Sequence, residues 1–246
     1  MKGRAPVDLT IAHLYPDLLL TYGDRGNVLS LARRAEWRGF STEVVGVTRG
    51  ERIPSETNLV LIGGGSDRVQ AIVGPDLAGR RSELRDLVDA GAAILGICGG
   101  YQLLGHEYIA ADGSPVAGLG LLDVTTVPGT GRIIGRVTAQ ATLNGRSFEC
   151  VGFENHGGRT ILGPRTEALA SVPLGQGNNA QDRTEGAVQG NVVGTYLHGP
   201  VLPTTPAFAD ALLEVALGDR TGGEPLQPLD DRLEETAHRY ARSLGR

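Results

Sequence analysis

The chain has few cysteines, few aromatic residues and no long apolar segment. Its 246 residues include two cysteines, and aromatic residues make up 4% of the sequence. No run approaches the roughly 18 apolar residues of a membrane-spanning helix, and the N-terminus lacks the apolar core of a signal peptide. Two cysteines are too few for a structural zinc site, and no close His, Asp and Glu cluster has metal-ligand spacing. We therefore expect a cytoplasmic protein with free thiols, no resident metal and no membrane span.

The chain also lacks an excess of positive charge. Its net charge is −5, with 23 Lys and Arg against 28 Asp and Glu, and the basic residues are scattered. Binding to a phosphate backbone needs a basic stripe, so nucleic acid is not an expected partner. No linker divides the middle of the chain, whose length allows one substantial core. We predict one α/β domain over residues 1–222 and a C-terminal amphipathic helix within residues 223–246.

Apolar segments and helical patterns alternate in the first hundred residues. Strands are predicted at Leu9–Leu14, Glu43–Val47, Leu59–Ile62 and Ala92–Leu95. Helical spacing follows the first strand, with Asn27 as a plausible N-cap, and recurs over Ser82–Ala90. This alternation is typical of an open, mostly parallel sheet flanked by helices.

The second half has a different pattern, with consecutive strands and glycine-containing turns. Strands are predicted at Leu119–Val127, Ile133–Leu143, Ser147–Phe153 and Val192–Leu197. We expect antiparallel additions in this half. Helical spacing returns at Phe208–Leu217 and again from Leu233 to Leu244, where the last helix packs on the domain or at a partner interface.

Cys98 occupies the position that says most about chemistry. It lies in Gly96-Ile97-Cys98-Gly99-Gly100, between an apolar strand and a helical segment. The flanking glycines permit a sharp turn, and a helix N-terminus behind the sulfur favours the reactive thiolate. The order strand, nucleophile, tight turn and helix is that of a nucleophile elbow. The alternative interpretation is a small buried apolar residue at a strand end.

A cysteine nucleophile needs a base, and the sequence offers five histidines. His198 is preferred because it follows a predicted strand, at the carboxyl edge of the sheet where sites form. His156 also follows a strand and stays an alternative. His13 in a core strand, His106 on a helix and His238 on the terminal helix are typical of packing or surface positions.

The triplet Gly63-Gly64-Gly65 follows the third predicted strand. Its backbone amides could stabilise an oxyanion beside Cys98. The segment lacks the Lys-Ser/Thr ending of a phosphate-binding loop, and no dinucleotide fingerprint follows the first strand. A nucleotide site in this chain is therefore not expected.

These motifs together resemble a known family. The segment Gly96–Gly105 (GICGGYQLLG), the glycine triplet and His198 resemble class I glutamine amidotransferase domains of the cobyric acid synthase-like branch, and the likeness spans Leu9–Leu217. Within that branch, Tyr22–Asn27 (YGDRGN) and Gly152–Thr160 (GFENHGGRT) resemble GatD-type glutaminase subunits of lipid II isoglutaminyl synthase.

The resemblance implies a reaction and its residues. Cys98 would attack the side-chain amide of L-glutamine to form a γ-glutamyl thioester, while His198 moves the protons. Backbone amides of Gly64 and Gly99 would hold the oxyanion. Arg132 matches the family position that binds glutamine, and a guanidinium suits its α-carboxylate.

Gln102 either lines the substrate pocket or caps its own helix.

One feature departs from the family pattern. Many class I enzymes carry a glutamate two residues after the catalytic histidine to orient it, whereas this chain has Pro200 there. A Cys/His pair would then act without the acid, or a partner subunit would supply it.

The resemblance also implies a partner. A Mur-ligase-like (MurT-type) synthetase subunit would form a heterodimer with this chain and would use ATP and Mg²⁺ to activate the α-carboxylate of D-glutamate in the lipid II stem peptide. Three alternatives stay open: a glutaminase for a cobyric-acid-type or other synthetase, a stand-alone cysteine peptidase or γ-glutamyl hydrolase, and a regulatory subunit without activity.

Overall fold

The structure is a computed structural model that describes residues 7–222 and 224–244. Its strands are β1 (Leu9–Leu14), β2 (Thr42–Val47), β3 (Leu59–Ile62), β4 (Ala93–Ile97), β5 (Glu107–Ile109), β6 (Pro115–Ala117), β7 (Val124–Leu143), β8 (Arg146–Leu162), β9 (Ala170–Leu174), β10 (Thr184–Glu185), β11 (Ala187–Gln189) and β12 (Val192–Thr195). Its helices are α1 (Arg25–Glu36), α2 (Asp67–Gly79), α3 (Arg81–Asp89), α4 (Gly99–Leu104), α5 (Val201–Thr204), α6 (Pro206–Leu217) and α7 (Arg232–Ser243).

The first sheet has six strands in the order β11-β12-β4-β3-β1-β2. All neighbours pair in parallel except β11 and β12, which are antiparallel. Every residue of β3 and β4 is buried, which explains why both strands are continuous apolar runs rather than alternating ones. The predicted open, mostly parallel sheet flanked by helices is confirmed.

The second sheet contains a long hairpin of β7 and β8, with β9 and β5 also pairing with β7. The sequence-based prediction of separate strands before and after Gly129–Gly131 is wrong. These glycines form an irregularity within one strand, because β8 continues on both sides and the register shifts only between Pro128 and Ile133. The true turn is at Asn144 and Gly145, whose φ angles are +51° and +75°.

One further local prediction is wrong, and one helix was not predicted. Asn27 lies inside α1 rather than capping it. The N-cap position is occupied by Asp24, whose side chain makes no capping hydrogen bond. Helix α2 was not predicted, because Gly74 and Pro75 interrupt its helical pattern. Among the described residues, no helix is long and apolar enough to span a membrane.

The first sheet brings three loops to one edge. Ile62 at the end of β3 lies beside Gly96 of β4, and Ile97 lies beside Thr195 of β12. The loops that follow these three parallel strands therefore meet at the carboxyl edge of the sheet, where α/β proteins form their sites.

Candidate active site

Cys98 adopts a strained backbone conformation at the end of β4. Its φ is +50°, which a non-glycine residue rarely adopts, and its N–H donates to the carbonyl of Thr195 at 2.8 Å. A Cβ on Gly100 would lie 2.2 Å from the carbonyl oxygen of Ile62, and one on Gly96 would lie 2.5 Å from the Leu104 side chain. Glycine is therefore required on both sides, and the turn has the form of a nucleophile elbow.

The environment of Cys98 opposes the thiolate that the helix N-terminus led us to expect. Burial, reinforced by the charge of Asp24, raises the pKa of Cys98 to about 12, although a hydrogen bond from the Gly99 amide acts in the opposite direction. Helix α4 has only six residues, so its dipole does not offset this burial. Burial and the charge of Arg132 lower the pKa of His198 to about 4. Both shifts favour the neutral form, the thiol of Cys98 and the uncharged imidazole of His198.

His198 reaches the site after β12 and is held there by the second sheet. Its N–H donates to the carbonyl of Phe153 at 2.9 Å, and the two rings stack with their centroids 5.3 Å apart. A methyl group placed on Gly64 would lie 3.4 Å from His198 Cε1 and 3.5 Å from Cβ of Cys98. The glycine loop, the cysteine and the histidine predicted from the sequence thus come together around Gly64.

A cavity of about 390 Å³ opens beside the sulfur. Its lining residues include Gly65, Cys98, Gln102, Arg132, Asn155 and His156. His198 does not line this cavity and is only 1% exposed, so it approaches Cys98 from the buried side. Gln102 lines the cavity, in agreement with the first of its two sequence-based interpretations, that of a pocket residue.

The two expected oxyanion donors, the amides of Gly64 and Gly99, make different contacts. The Gly99 amide acts on the Cys98 sulfur, as its effect on the cysteine pKa indicates. The Gly64 amide is already engaged, because it donates to Oδ2 of Asp24 at 2.6 Å. Gly65, the next residue, lines the cavity. Gly64 therefore acts on an oxyanion only if this hydrogen bond is released, and its role stays a prediction.

Arg132 lies at the cavity rim on β7. Its Nε and Nη2 donate to Oδ1 of Asn155 on β8 at 3.0 and 2.8 Å, and Nη2 also donates to the Asn155 carbonyl. This contact holds a positive charge over the cavity without neutralising it. The position fits the α-carboxylate of an amino acid bound next to Cys98.

The other histidines have distinct environments. His156 lines the cavity and stacks on Tyr196 with centroids 3.6 Å apart, and burial lowers its pKa to about 4. His106 lies 2.8 Å from Asp123 at the surface, and His238 contacts the Thr204 carbonyl at 2.8 Å. His13 is buried in β1. Of the five histidines, His156 therefore lines the cavity and His198 lies beside the glycine loop and Cys98, while the other three lie elsewhere.

Two residues of the site were missed by sequence reasoning. Gln70 on α2 lines the cavity and donates to Oε1 of Gln102 at 2.9 Å, but the unpredicted helix left it without a position. Asp24 is fully buried and contacts the glycine loop. It belongs to a motif that the sequence singled out, yet nothing in the sequence indicates its burial.

A larger cavity, of about 810 Å³, lies elsewhere. It is formed between β8, α6 and the C-terminal segment, and it contains neither Cys98 nor His198. Cavity size therefore does not identify the active site here. The site is identified by the meeting of the loops that follow β3, β4 and β12.

Comparison with known proteins decides the family. The model of the CobB/CobQ-like glutamine amidotransferase domain matches residues 10–206, and these residues include Cys98, His198 and all of the first sheet except Leu9. The chain belongs to this family. It is a glutamine amidotransferase, and the predicted resemblance is confirmed.

Two curated relatives of this glutamine amidotransferase are similar over nearly their whole length. One is the GatD subunit of lipid II isoglutaminyl synthase (glutamine-hydrolyzing) from Staphylococcus aureus, 41% identical over 90% of this chain and 88% of the relative. The other is the GatD subunit from Streptococcus pneumoniae, 36% identical over 97% of this chain and 93% of the relative.

A solved structure supports the fold. PurLQS from Thermotoga maritima aligns with 85% of this amidotransferase and 95% of its own chain, with a TM-score of 0.55 and 16% identity. At this identity the likeness concerns the fold alone.

Proposed function

We propose that this glutamine amidotransferase is the glutaminase subunit of a lipid II isoglutaminyl synthase, which releases ammonia from L-glutamine for a Mur-ligase-like (MurT-type) partner. The observation that carries the glutaminase reaction is the Cys98 elbow, with His198, the glycine loop and a cavity around it. The acceptor rests on similarity to the two GatD subunits over almost their full length. The partner would bind ATP and Mg²⁺ and activate the α-carboxylate of D-glutamate at the cytoplasmic side.

The proposed first half-reaction forms a thioester. The sulfur of Cys98 attacks the amide carbon of glutamine while its proton passes to His198. His198 then gives this proton to the leaving nitrogen, the carbon–nitrogen bond breaks, and ammonia departs. Because the pair is buried, the charges that arise during transfer depend on fixed dipoles and charges around them.

The second half-reaction releases glutamate. Water gives a proton to His198 and attacks the thioester carbon, after which the carbon–sulfur bond breaks and His198 returns this proton to the sulfur. In both half-reactions the α-carboxylate would bind Arg132 at the rim, with the amide directed towards Cys98 and Gln102.

A covalent inhibitor tests the glutaminase reaction. We expect 6-diazo-5-oxo-L-norleucine, a diazo-ketone analogue of glutamine, to add once to the chain, and peptide mass spectrometry should place the adduct on Cys98. Cys98→Ser is expected to remain unlabelled, whereas Cys150→Ala, which changes a buried cysteine of β8 outside the cavity, is expected to label normally. No adduct in the wild type, alone or with its partner, would contradict the proposal.

Isotope transfer tests the acceptor. With a co-expressed MurT-type partner, lipid II, ATP and Mg²⁺, the nitrogen of L-[amide-¹⁵N]glutamine should appear in amidated lipid II. The Cys98→Ser complex should lose this transfer but still amidate lipid II from ¹⁵N-ammonium, because the partner's chemistry is intact. Absence of lipid II amidation by an active glutaminase complex would favour another acceptor, such as a corrinoid carboxylate, which the CobB/CobQ-like character of the domain makes the alternative.

A further inference from the structure

Among the described residues that line the cavity beside Cys98, Asp67 alone carries a carboxyl group. It is the first residue of α2 and follows the glycine loop and Ser66. The other charged residues of the lining are Arg68, which is exposed, and Arg132. Arg132 would bind the α-carboxylate of glutamine, whereas Asp67 has no part in the mechanism above.

The carboxylate of Asp67 is held by neutral hydrogen-bond donors. The Ala111 N–H donates to its Oδ2 at 3.3 Å. The hydroxyl of Tyr108 forms a second hydrogen bond with Asp67, and burial together with this bond raises the pKa of Tyr108. Neither donor carries a positive charge, and a carboxylate has about four acceptor sites. Asp67 therefore keeps its negative charge and further acceptor sites for a ligand.

Asp67 and Arg132 lie at the same end of the cavity. Both also line a neighbouring cavity of about 320 Å³, whose lining does not include Cys98. The two opposite charges are therefore found where the cavities join, yet both reach the sulfur. Burial has the largest effect on the pKa of Cys98, but the charge of Arg132 lowers this pKa and that of Asp67 raises it.

This pair of charges matches a feature that all free α-amino acids share. Such a molecule carries a carboxylate and an ammonium group on one carbon atom. In glutamine, two methylene groups separate this carbon from the side-chain amide, so both charged groups stay near the sulfur when the amide is attacked. A carboxylate binds an ammonium group through charge-assisted hydrogen bonds, as a guanidinium binds a carboxylate.

We propose that Asp67 binds the α-ammonium group of L-glutamine while Arg132 binds its α-carboxylate, and that this pair restricts the substrate to free α-amino acids. The inference rests on the proposed glutaminase function and adds a specificity-determining residue to it. An analogue without the ammonium group would cover the Asp67 carboxylate and leave it unpaired. Such an analogue should therefore react poorly although its amide is the same.

His156 is the competing acceptor for the ammonium group. Its Nδ1 lies 2.9 Å from the carbonyl oxygen of Gly158, which can only accept, so Nδ1 carries the proton and Nε2 is an acceptor. Nε2 is buried and has no hydrogen-bond partner among the described residues. Burial lowers the pKa of His156 to about 4, which favours the uncharged ring. An uncharged ring accepts one hydrogen bond but does not offset the ammonium charge, whereas Asp67 does both.

The experiment compares L-glutamine with glutaramate, the analogue that lacks the α-amino group. Ammonia release, with the partner subunit present, gives kcat and KM for each substrate. In wild type we expect kcat/KM for glutaramate to be roughly 10- to 100-fold below that for glutamine. Asp67→Asn should raise KM for glutamine by a similar factor with little change in kcat, and should leave glutaramate within about threefold of wild type. The discrimination between the two substrates would then be lost.

Two further variants serve as controls. Arg132→Gln should lower kcat/KM for both substrates by a similar factor, because both carry the carboxylate. Glu107→Gln changes an exposed carboxyl of β5 next to Tyr108 that does not line the cavity, and both substrates should react as with wild type. The thermal midpoint of each variant shows whether it is folded.

The outcomes separate this inference from the proposed function. In Asp67→Asn, an equal loss of kcat/KM for both substrates, or no loss for glutamine, would overturn the role of Asp67 and leave the glutaminase reaction standing. Loss of the discrimination in His156→Gln but not in Asp67→Asn would assign the ammonium group to His156. A wild type without glutaminase activity or Cys98 adduct would contradict the function itself.

A second measurement covers slow turnover and poor folding. If wild type does not measurably hydrolyse glutaramate, the labelling rates of Cys98 by 6-diazo-5-oxo-L-norleucine and by 6-diazo-5-oxohexanoate, its analogue without the amino group, replace the two kcat/KM values. We expect Asp67→Asn to slow labelling by the first reagent only, and equal slowing with both would contradict the proposal. If Asp67→Asn does not fold, Asp67→Ser is judged by the same criteria, since serine is well tolerated at the start of a helix.

Discussion

The two halves of the catalytic pair are built in different ways. The elbow of Cys98 is formed by residues adjacent in sequence, since β4, Cys98 and α4 follow one another directly, although the Cys98 N–H also donates to Thr195 and Gly100 packs on Ile62. His198 depends on residues distant in sequence, because Phe153 of the second sheet binds its backbone and Asn27 of α1 binds the loop that follows. The turn at the nucleophile is therefore formed by contiguous residues, whereas the base is positioned by tertiary packing.

This difference predicts where in the chain substitutions should affect each catalytic residue. A substitution near Cys98 alters the elbow directly, while the histidine loop can be disturbed from the other end of the chain. The predictions below test that contrast, beginning with the largest expected effect.

Removal of the sulfur is expected to have the largest effect. Cys98→Ala should lower the glutaminase rate by at least about 10⁴-fold, because no other nucleophile lies at the elbow. Glutamate release measures the rate, and the thermal midpoint should stay close to that of wild type. A variant that retains more than a few per cent of the wild-type rate would remove Cys98 from the mechanism.

Loss of the base is expected to have the second-largest effect. His198→Gln is expected to reduce kcat roughly 10³-fold, since proton transfer contributes on the order of 10²–10⁴-fold. His156→Gln is the matched comparison, because His156 lines the same cavity and remained the alternative base. We expect it to act chiefly on KM. The reverse ranking of the two kcat values would assign the base to His156.

Loss of the rim charge should affect substrate binding. Arg132→Gln is expected to raise KM for glutamine roughly 10- to 100-fold with little change in kcat, since a charge-assisted hydrogen bond contributes about 1.5–3 kcal/mol. Arg136→Gln changes another exposed arginine of β7 that does not line the cavity, and its KM should remain normal. Equal effects in both variants would indicate general electrostatics rather than a carboxylate site.

The smallest effect tests the long-range support of His198. Gly26→Ala should displace Pro200 and cost about 1–3 kcal/mol of stability through overpacking, with a several-fold lower kcat. Gly79→Ala serves as the control, because a Cβ at the end of α2 meets nothing within 4 Å and helix propensity favours alanine. Denaturant unfolding measures both. Equal stability of the two variants would contradict the packing of Gly26 on Pro200.

The same contrast explains how much was predictable from sequence. The parallel strands and the Cys98 elbow follow from short apolar runs and from glycines next to one residue, so local patterns predicted both. His198 was found because it follows a strand. The single strand β7 was missed because a register irregularity and a turn both use glycine, and only pairing with β8 distinguishes them.

The features that escaped prediction depend on burial and on distant contacts. Desolvation raises the pKa of Cys98, and the sequence pattern of a helix N-terminus does not reveal this burial. The environment of Asp24 requires that Gly64 be brought to it by a separate strand and loop. Sequence identified its motif but no physical role for the carboxyl.

Direct observation of the acyl-enzyme tests the central claim, that Cys98 takes the γ-glutamyl group from glutamine. The chain, with its partner present, would be mixed with L-glutamine, quenched in acid within the first turnover and analysed by peptide mass spectrometry. We expect a mass increment of one γ-glutamyl group on the Cys98 peptide in wild type and none in Cys98→Ser. Glutamate formation with no acyl group on Cys98, or with the group on another residue, would contradict the account.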